Sequence, residues 1–388
     1  MNDAERVETS IAVVGAGPVG LAATLVLADA GYDVALVAPA APPPDRRTSA
    51  LLAGSVALLE RIGVWGGLAP EAAPLRTMRI ADGTRRLIRA PEVAFDAGEI
   101  GLAAFGYNIA NAALVAALER ALSSRDNIRR IDALAVSATP RPDRIDIVLA
   151  NESVVSARLG VAADGRRSRL REAAGIAVET WQYDQTALVC NLRHTLPHDD
   201  TSTEFHTEHG PFTLVPLGPN RSSLVWVDRP AESRRRLDMT DAEIAAAIEE
   251  RSASILGTVE VDGGRQVFPL SGMTARDFAA ARVTLAGEAA HVFPPIGAQG
   301  LNLGYRDVAA LGDVLAGLLP DPGAPSVLAA YDTARRADVL SRTAAVDALN
   351  RTLLTDFLPV QALRGLGLFL VDRVPPLRRL AIRQGLGI

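Results

Sequence analysis

The chain has 388 residues, 48% of them apolar, with 40 basic against 45 acidic side chains for a net charge of −5. That length allows a substantial core in two domains, or in one large domain carrying a second inserted into it, and the mild acidity argues against nucleic acid as a partner. Every basic residue is an arginine, which excludes Schiff-base chemistry on lysine, and the single cysteine, Cys190, excludes an intrachain disulfide and fits a reducing compartment.

The N-terminus, MNDAERVETS, is acidic and lacks the basic region of a signal peptide. Residues 9–28 form an uncharged run of membrane-spanning length, but Gly15, Gly17, Pro18 and Gly20 interrupt it, so a strand, a turn and a helix fit better than a lipid-embedded helix. The pattern predicts a strand over Ile11–Val14, a glycine turn at 15–20, a helix over Leu21–Ala30 and a strand over Val34–Val37. This βαβ start implies a parallel sheet covered by helices. Leu51, Ser55, Leu58, Leu59 and Ile62 recur at helical spacing and predict a second helix over 49–61.

Short strands follow over 76–100, a helix over 109–122 and strands with polar turns over 128–162. Residues 180–270 carry the clearest strand signals, TALVCNL, FTLVPLG and SSLVWVD, and Cys190 reads there as a small core residue. A polar helix over 240–256 interrupts them, opening on a capping box of Thr240 and Glu243. The chain closes in helices. The fold class is therefore α/β, a Rossmann-like dinucleotide domain with an inserted β-rich domain and C-terminal helices.

Three motifs carry chemistry. Gly15-Ala-Gly17-Pro18-Val19-Gly20 joins a strand to a helix, where glycines permit a tight turn and close approach of a pyrophosphate to free helix amides. The strand-turn-helix context favours dinucleotide binding over a purely structural turn. One part of the fingerprint is absent: the acidic residue that holds the adenosine ribose, at the end of the second strand, is replaced by Ala38. The second motif, Ala163-Asp164-Gly165-Arg166-Arg167-Ser168-Arg169, places a carboxylate at a strand end and Ser168 as a helix cap. It reads equally as ordinary helix initiation with a solvated arginine face. The third, GEAAHVFPPIGAQGLNLGYRD over 287–307, leads from a strand end into a helix with Val308, Leu311, Leu315 and Leu318 on one face. The amides of Gly300, Leu301 and Asn302 would face a group that becomes anionic.

In this order the motifs resemble the flavin-dependent aromatic hydroxylases of the para-hydroxybenzoate hydroxylase fold, and more closely the ubiquinone-biosynthesis hydroxylases of the UbiH/UbiF type. The resemblance extends to RTSALLAGSVALLERIGVW at 47–65, to YDQTALVCNL and to GPFTLVPLGPNRSSLVW at 210–226. It implies an FAD-binding half made of 1–75, 101–178 and 271–325, a substrate half made of 76–100 and 179–270, and a C-terminal helical region over 326–388. It implies that Gly15, Gly17, Pro18, Val19 and Gly20 cradle the FAD pyrophosphate, that Arg47 and Asn111 lie along the cofactor, and that Asp164 serves FAD and the nicotinamide donor. Gly287 and Glu288 would meet the ribityl chain, Glu288 standing where aspartate is usual. Gly297, Gly300, Leu301 and Asn302 would meet the flavin ring. Pro294, Pro295 and Gly300 would border the reacting face.

The implied activity is hydroxylation of a polyprenylated phenol in ubiquinone biosynthesis, with O₂, FAD and NAD(P)H or another electron donor, through a flavin C4a-hydroperoxide. Hydroxylation of another aromatic or polyketide, reduction of isoprenoid chains, and non-catalytic carriage of prenylated cargo remain open within the same fold. His194, His198, His206 and His209 read as loop or substrate-domain histidines rather than a metal site, because Pro197 disfavours the helix that would align the first two and no cysteine supports them. His291 reads as a loop-fixing residue. The leucine- and arginine-rich segment 363–385 reads as a helix packed on the flavin half, with a membrane surface or other ubiquinone-biosynthesis proteins as the alternative partner. The location implied is cytoplasmic, peripheral at the inner face of the membrane.

Overall fold

β1 (Arg6–Val14), α1 (Pro18–Asp29) and β2 (Val34–Ala38) form the opening βαβ unit, with Ile11 opposite Val34 in parallel register. This is a computed structural model; it describes residues 6–40, 45, 47–84, 91–295, 298–354 and 373–386. Every residue of α1 from Gly20 to Ala28 is buried. Burial of each leucine in that stretch contributes about 1.5–3 kcal/mol, and the same lack of a polar face made the segment look membrane-spanning.

The region over 49–61 departs from the predicted single helix. It is β3 (Thr48–Leu52) followed by α2 (Ala53–Arg61). After α3 (Trp65–Leu68) come β4 (Ala73–Leu75), β5 (Thr77–Asp82), β6 (Val93–Asp96) and β7 (Gly106–Ala110). β7 takes β3 on one side and β4 on the other in a small antiparallel sheet. That distant pairing overrides the local helical periodicity.

α4 (Asn111–Leu122) is followed by β8 (Ile128–Asp132), β9 (Ala135–Pro140), β10 (Ile145–Leu149), β11 (Val154–Ala162) and α5 (Arg169–Ala173). Then come β12 (Val178–His194), β13 (Thr201–Thr207), β14 (Gly210–Gly218), β15 (Arg221–Asp228), α6 (Pro230–Asp238), α7 (Asp241–Arg251) and β16 (Val259–Ala275). β17 (Ala279–Ala280), β18 (Val283–Leu285), β19 (His291–Val292), α8 (Gln299–Val314) and α9 (Pro325–Leu354) complete the order before a final helix, Pro375–Leu386.

Two larger sheets result. The first runs β17-β18-β11-β1-β2-β8, with β10 on β11 and β9 on β10. The second runs β19-β16-β12-β15-β14-β13-β5-β6. β12 and β16, 17 residues each, pair from Val178 opposite Ala275 to His194 opposite Val259 and carry the chain into and out of the second sheet.

α7 starts at the predicted cap. The Thr240 side chain accepts from the Glu243 amide, and Glu243 accepts from the Thr240 amide at 2.8 Å. Thr240→Ala should lower folding stability by about 1 kcal/mol, measured by thermal or denaturant unfolding. Ile244 and Ile248 of this helix pack with Leu188, Cys190 and Trp226 on the outer face of the second sheet. Burial there pushes the Cys190 thiol up to about 12, so it stays protonated at neutral pH.

No helix among the described residues is long and apolar enough to cross a membrane. Most of segment 363–385 lies outside the described residues. Its described end, the final helix, buries Ile382 against Leu52, Ala97 and Phe105, stacks Arg378 over Phe95 at 4.8 Å and leaves Leu377 and Leu380 exposed.

Candidate functional site

The three motifs meet at one edge of the first sheet, where β1, β11 and β18 end; in parallel sheets ligands bind at the carboxyl ends of the strands. Gly15 follows β1 with φ +109°, and a Cβ there would stand 2.2 Å from the Ala163 carbonyl oxygen. A Cβ at Gly20 would stand 1.9 Å from the Gly15 carbonyl oxygen. These two glycines close the turn against β11. Gly17 differs, because a Cβ there would meet nothing within 4 Å. It is the N-cap of α1, with Pro18 in the first helical turn, so the first-turn amides of Val19 and Gly20 beside it have no acceptor within the helix. A glycine cradle of this kind, open only on the side of the helix terminus, fits a dinucleotide phosphate.

Val19 packs against the third motif. Its side chain would lie 3.1 Å from a Cβ at Gly287 and 2.6 Å from one at Gly304, so both positions must be glycine for α1, the Gly287–Ala289 turn and α8 to approach. The need for Gly304 was not foreseen from the sequence. Glu288 projects from this turn as an exposed residue between buried Gly287 and Ala289.

Arg47 and Asn111 are joined by a residue that sequence reading passed over. Asp45 accepts from Arg47 Nε and Nη2, both at 2.9 Å, and from Asn111 Nδ2 at 2.8 Å. The hydrogen bond to Asp45, with further support from the Glu288 charge, holds the Arg47 guanidinium above its ordinary pKa. Burial pushes the Asp45 carboxyl up, but its bonds to Arg47 and Asn111 outweigh this and leave it below the usual carboxylate range. The only signal was an acid two residues before an arginine at the end of a proline run.

Asp164 accepts from the Arg169 amide at 2.7 Å, and Ser168 caps α5 as predicted. Its other oxygen, Oδ1, is buried without a protein partner, and burial raises its pKa. A carboxylate oxygen so placed beside the glycine turn suits a ligand hydroxyl. Among the ring nitrogens, His194 contacts the Leu196 carbonyl and Ser222 Oγ, His198 contacts the Gly218 carbonyl, and His206 contacts Glu204.

The proline turn lies where the two sheets meet. β19 joins the edge of the second sheet beside β16, and α8 returns to the first half. Pro294 is buried and Pro295 exposed, while Gly297 lies outside the described residues. With Ala298 as N-cap in a left-handed conformation at φ 54°, the first-turn amides of α8 are those of Gln299, Gly300 and Leu301, one residue earlier than the spacing suggested. Gly300 is exposed, and a Cβ there would meet nothing within 4 Å. Asn302 anchors the helix through its side chain. It accepts from the Leu52 amide at 2.8 Å and Ser55 Oγ at 2.6 Å and donates to the Ala50 and Ala298 carbonyls, locking α8 to β3 and α2.

Behind the turn lies a buried ionic chain. Asp307, fully buried, accepts from His291 Nε2 at 2.7 Å, from the Gly287 amide at 2.9 Å and from Arg335 Nε at 2.7 Å. Arg335 pairs with Asp338, which also holds Arg306 and Arg342, and Arg342 reaches Gln299 at 3.1 Å. One stripe of α9 thus secures both flanks of the proline turn. His291 is a loop-fixing residue as predicted, and its partner is an acid on α8.

The second sheet roofs this edge. Thr48 donates to Ser223 at 2.9 Å, Asn108 donates to the Pro216 carbonyl at 2.8 Å, and Arg47 lies over Phe268 at 5.3 Å. Two small cavities of about 120 and 150 Å³ lie elsewhere, one at the outer face of the second sheet under loop 197–201, the other at the opposite end of β1, β2 and β8. Neither contains a motif residue.

Comparison with known proteins agrees with this geometry. Residues 8–345 match the model of a family described as FAD binding domain. The ubiquinone hydroxylase UbiL of Rhodospirillum rubrum is 35% identical, covering 97% of this chain and 89% of that protein. The 3-demethoxyubiquinol 3-hydroxylase of Escherichia coli is 33% identical over 98% of this chain and 99% of its own length. The crystal structure of p-nitrophenol 4-monooxygenase from Pseudomonas putida shares the fold, with a TM-score of 0.80 at 21% identity over 98% of both chains. A family model spanning most of the sequence and two relatives matched along nearly all of it show that the chain belongs to the FAD-binding-domain family of flavin-dependent monooxygenases.

Proposed function

We propose that this protein is an FAD-dependent monooxygenase that hydroxylates the ring of a polyprenylated phenol in ubiquinone biosynthesis. The observation that carries the reading is the full-length match to ubiquinone hydroxylases, joined to the convergence of all three motifs under the second sheet. In the proposed division, 1–75, 101–178 and 271–325 hold the cofactor, 76–100 and 179–270 roof the substrate, and 326–388 are the C-terminal region.

The FAD, once bound, supplies the redox chemistry that activates O₂ with electrons from NAD(P)H or another donor. The chain's own residues bind, orient and exclude water. The amides of Val19 and Gly20 take the pyrophosphate, with Gly15 and Gly17 shaping the cradle. Arg47, Asn111, Asp164 and Glu288 line the route to the ring. The amides at the start of α8, around Gly300 and Leu301, stabilise negative charge on the ring carbonyl as an oxyanion hole does. Pro294 and Pro295, which carry no N–H, wall the reacting face without offering it a proton.

The test is incubation with FAD, NAD(P)H, O₂ and a prenylphenol, with a product heavier by one oxygen as the expected result. Failure to take up FAD at all would instead favour carriage of prenylated cargo, the reading that Ala38 alone suggests. The exposed Leu377 and Leu380 beside Arg373, Arg379 and Arg383 support peripheral membrane contact through the final helix. Loss of liposome flotation on deleting 363–388 is the outcome expected.

A further inference from the structure

Ala38 leaves the cofactor crevice without an acid where β2 ends, and the strand register shows what stands beside it. β8 lies parallel to β2 with Val34 opposite Ile128, Leu36 opposite Arg130 and Ala38 opposite Asp132. Residues in register on parallel strands about 4.8 Å apart point to the same face. That face looks toward α4, because Arg130 Nη1 binds Glu119 on α4 at 2.6 and 2.8 Å. α4 packs beside α1, the helix that rises from the glycine turn. Asp132 therefore sits one strand outward from Ala38, at the same C-terminal edge and on the same face.

Its carboxylate is available. The Asp132 side chain is 56% exposed, and its contact among the described residues is a single hydrogen bond from Arg130 Nε to Oδ1 at 3.0 Å. That bond steadies the group from within its own strand and engages Oδ1. Ala38, by contrast, is buried and offers a methyl group.

We propose that Asp132 is the acceptor for the adenosine ribose hydroxyls of FAD, displaced by one strand from the usual position. The proposal rests on the reading that the glycine crevice binds FAD. A carboxylate is an acceptor with two oxygens, matched to a pair of neighbouring hydroxyls. Moving it to β8 keeps that chemistry while the end of β2 is filled by a small apolar residue.

The experiment uses the full chain freed of flavin and titrated with FAD, following quenching of flavin fluorescence, with the melting temperature of the flavin-free protein measured in parallel. Asp132→Ala is expected to weaken FAD binding roughly tenfold or more, the loss of a charge-assisted hydrogen bond, with the flavin-free melting temperature unchanged. Adding Ala38→Glu to that variant should recover affinity by restoring an acid on the neighbouring strand. FAD binding of Asp132→Ala equal to the parent would overturn the proposal. So would weaker binding that comes with a lowered flavin-free melting temperature and no recovery by Ala38→Glu, since Asp132 would then act on the fold. A parent chain that itself takes up no FAD would remove the cofactor reading along with it.

Discussion

Gly17→Val should leave the flavin-free protein folded and strip it of its cofactor. Gly17 has φ −73° and ψ 173°, a conformation open to any residue, and a Cβ there touches no protein atom within 4 Å. The cost to the fold is the N-cap preference alone, about 1 kcal/mol or less. A branched side chain in that space blocks the first-turn amides of α1. Two hydrogen bonds to a phosphate, at about 1.5–3 kcal/mol each, correspond to roughly 10²- to 10⁴-fold in affinity. The same change at Gly15 should behave differently, because φ +109° and the 2.2 Å approach to the Ala163 carbonyl penalise the fold itself. Colour after incubation with FAD and the melting temperature of the flavin-free chains separate the two. A Gly17→Val protein that stays yellow would show that the pyrophosphate does not pass this turn.

Asp307→Ala should be the most destabilising change in the site, by about 3–5 kcal/mol, because it strands the buried Arg335 guanidinium and removes the acceptor of the Gly287 amide. Burial pushes the Asp307 carboxyl up, but His291, Arg335 and the Gly287 amide together hold it below the usual aspartate range. A group with a lowered folded pKa stabilises at any pH above its unfolded value and loses that contribution as pH falls through the folded one. Denaturation of the parent should therefore steepen on the acid side, below the ordinary aspartate pKa, and Asp307→Ala should flatten that limb. Asp307→Leu combined with Arg335→Met should cost less than the sum of the single changes, since the pair is removed together. Additive losses would mean that the two residues stabilise independently.

Local signals made part of this site legible. The glycine turn, the Thr240 capping box, the Ser168 cap and the start of α8 each depend on residues within a few positions of one another, so sequence spacing carries them. β3 was hidden because Leu51, Leu58 and Leu59 satisfy a helical period, while its strand partner β7 lies far along the chain. Asp45, Gly304 and the Asp307 chain were hidden for a related reason. Their partners sit on other elements, and only the fold brings Arg335 to Asp307 or Val19 to Gly304. A carboxylate next to Val308, on a helix with an apolar stripe, was the one hint that Asp307 is buried with partners.

The long ladder of β12 and β16 sets the terms for building hybrids with related enzymes. The second sheet is held by a two-rail ribbon rather than by flexible linkers, so neither sheet can be excised without leaving an unpaired strand edge, a template for aggregation. An exchange of roofs between relatives must cut both rails at matched positions. The ladder already slips between Gln182 and Thr186, opposite Ser271 and Pro269. A crossover placed there would join foreign strands where the register is broken in the parent, and it is the seam at which the second sheet could be exchanged with the first left whole.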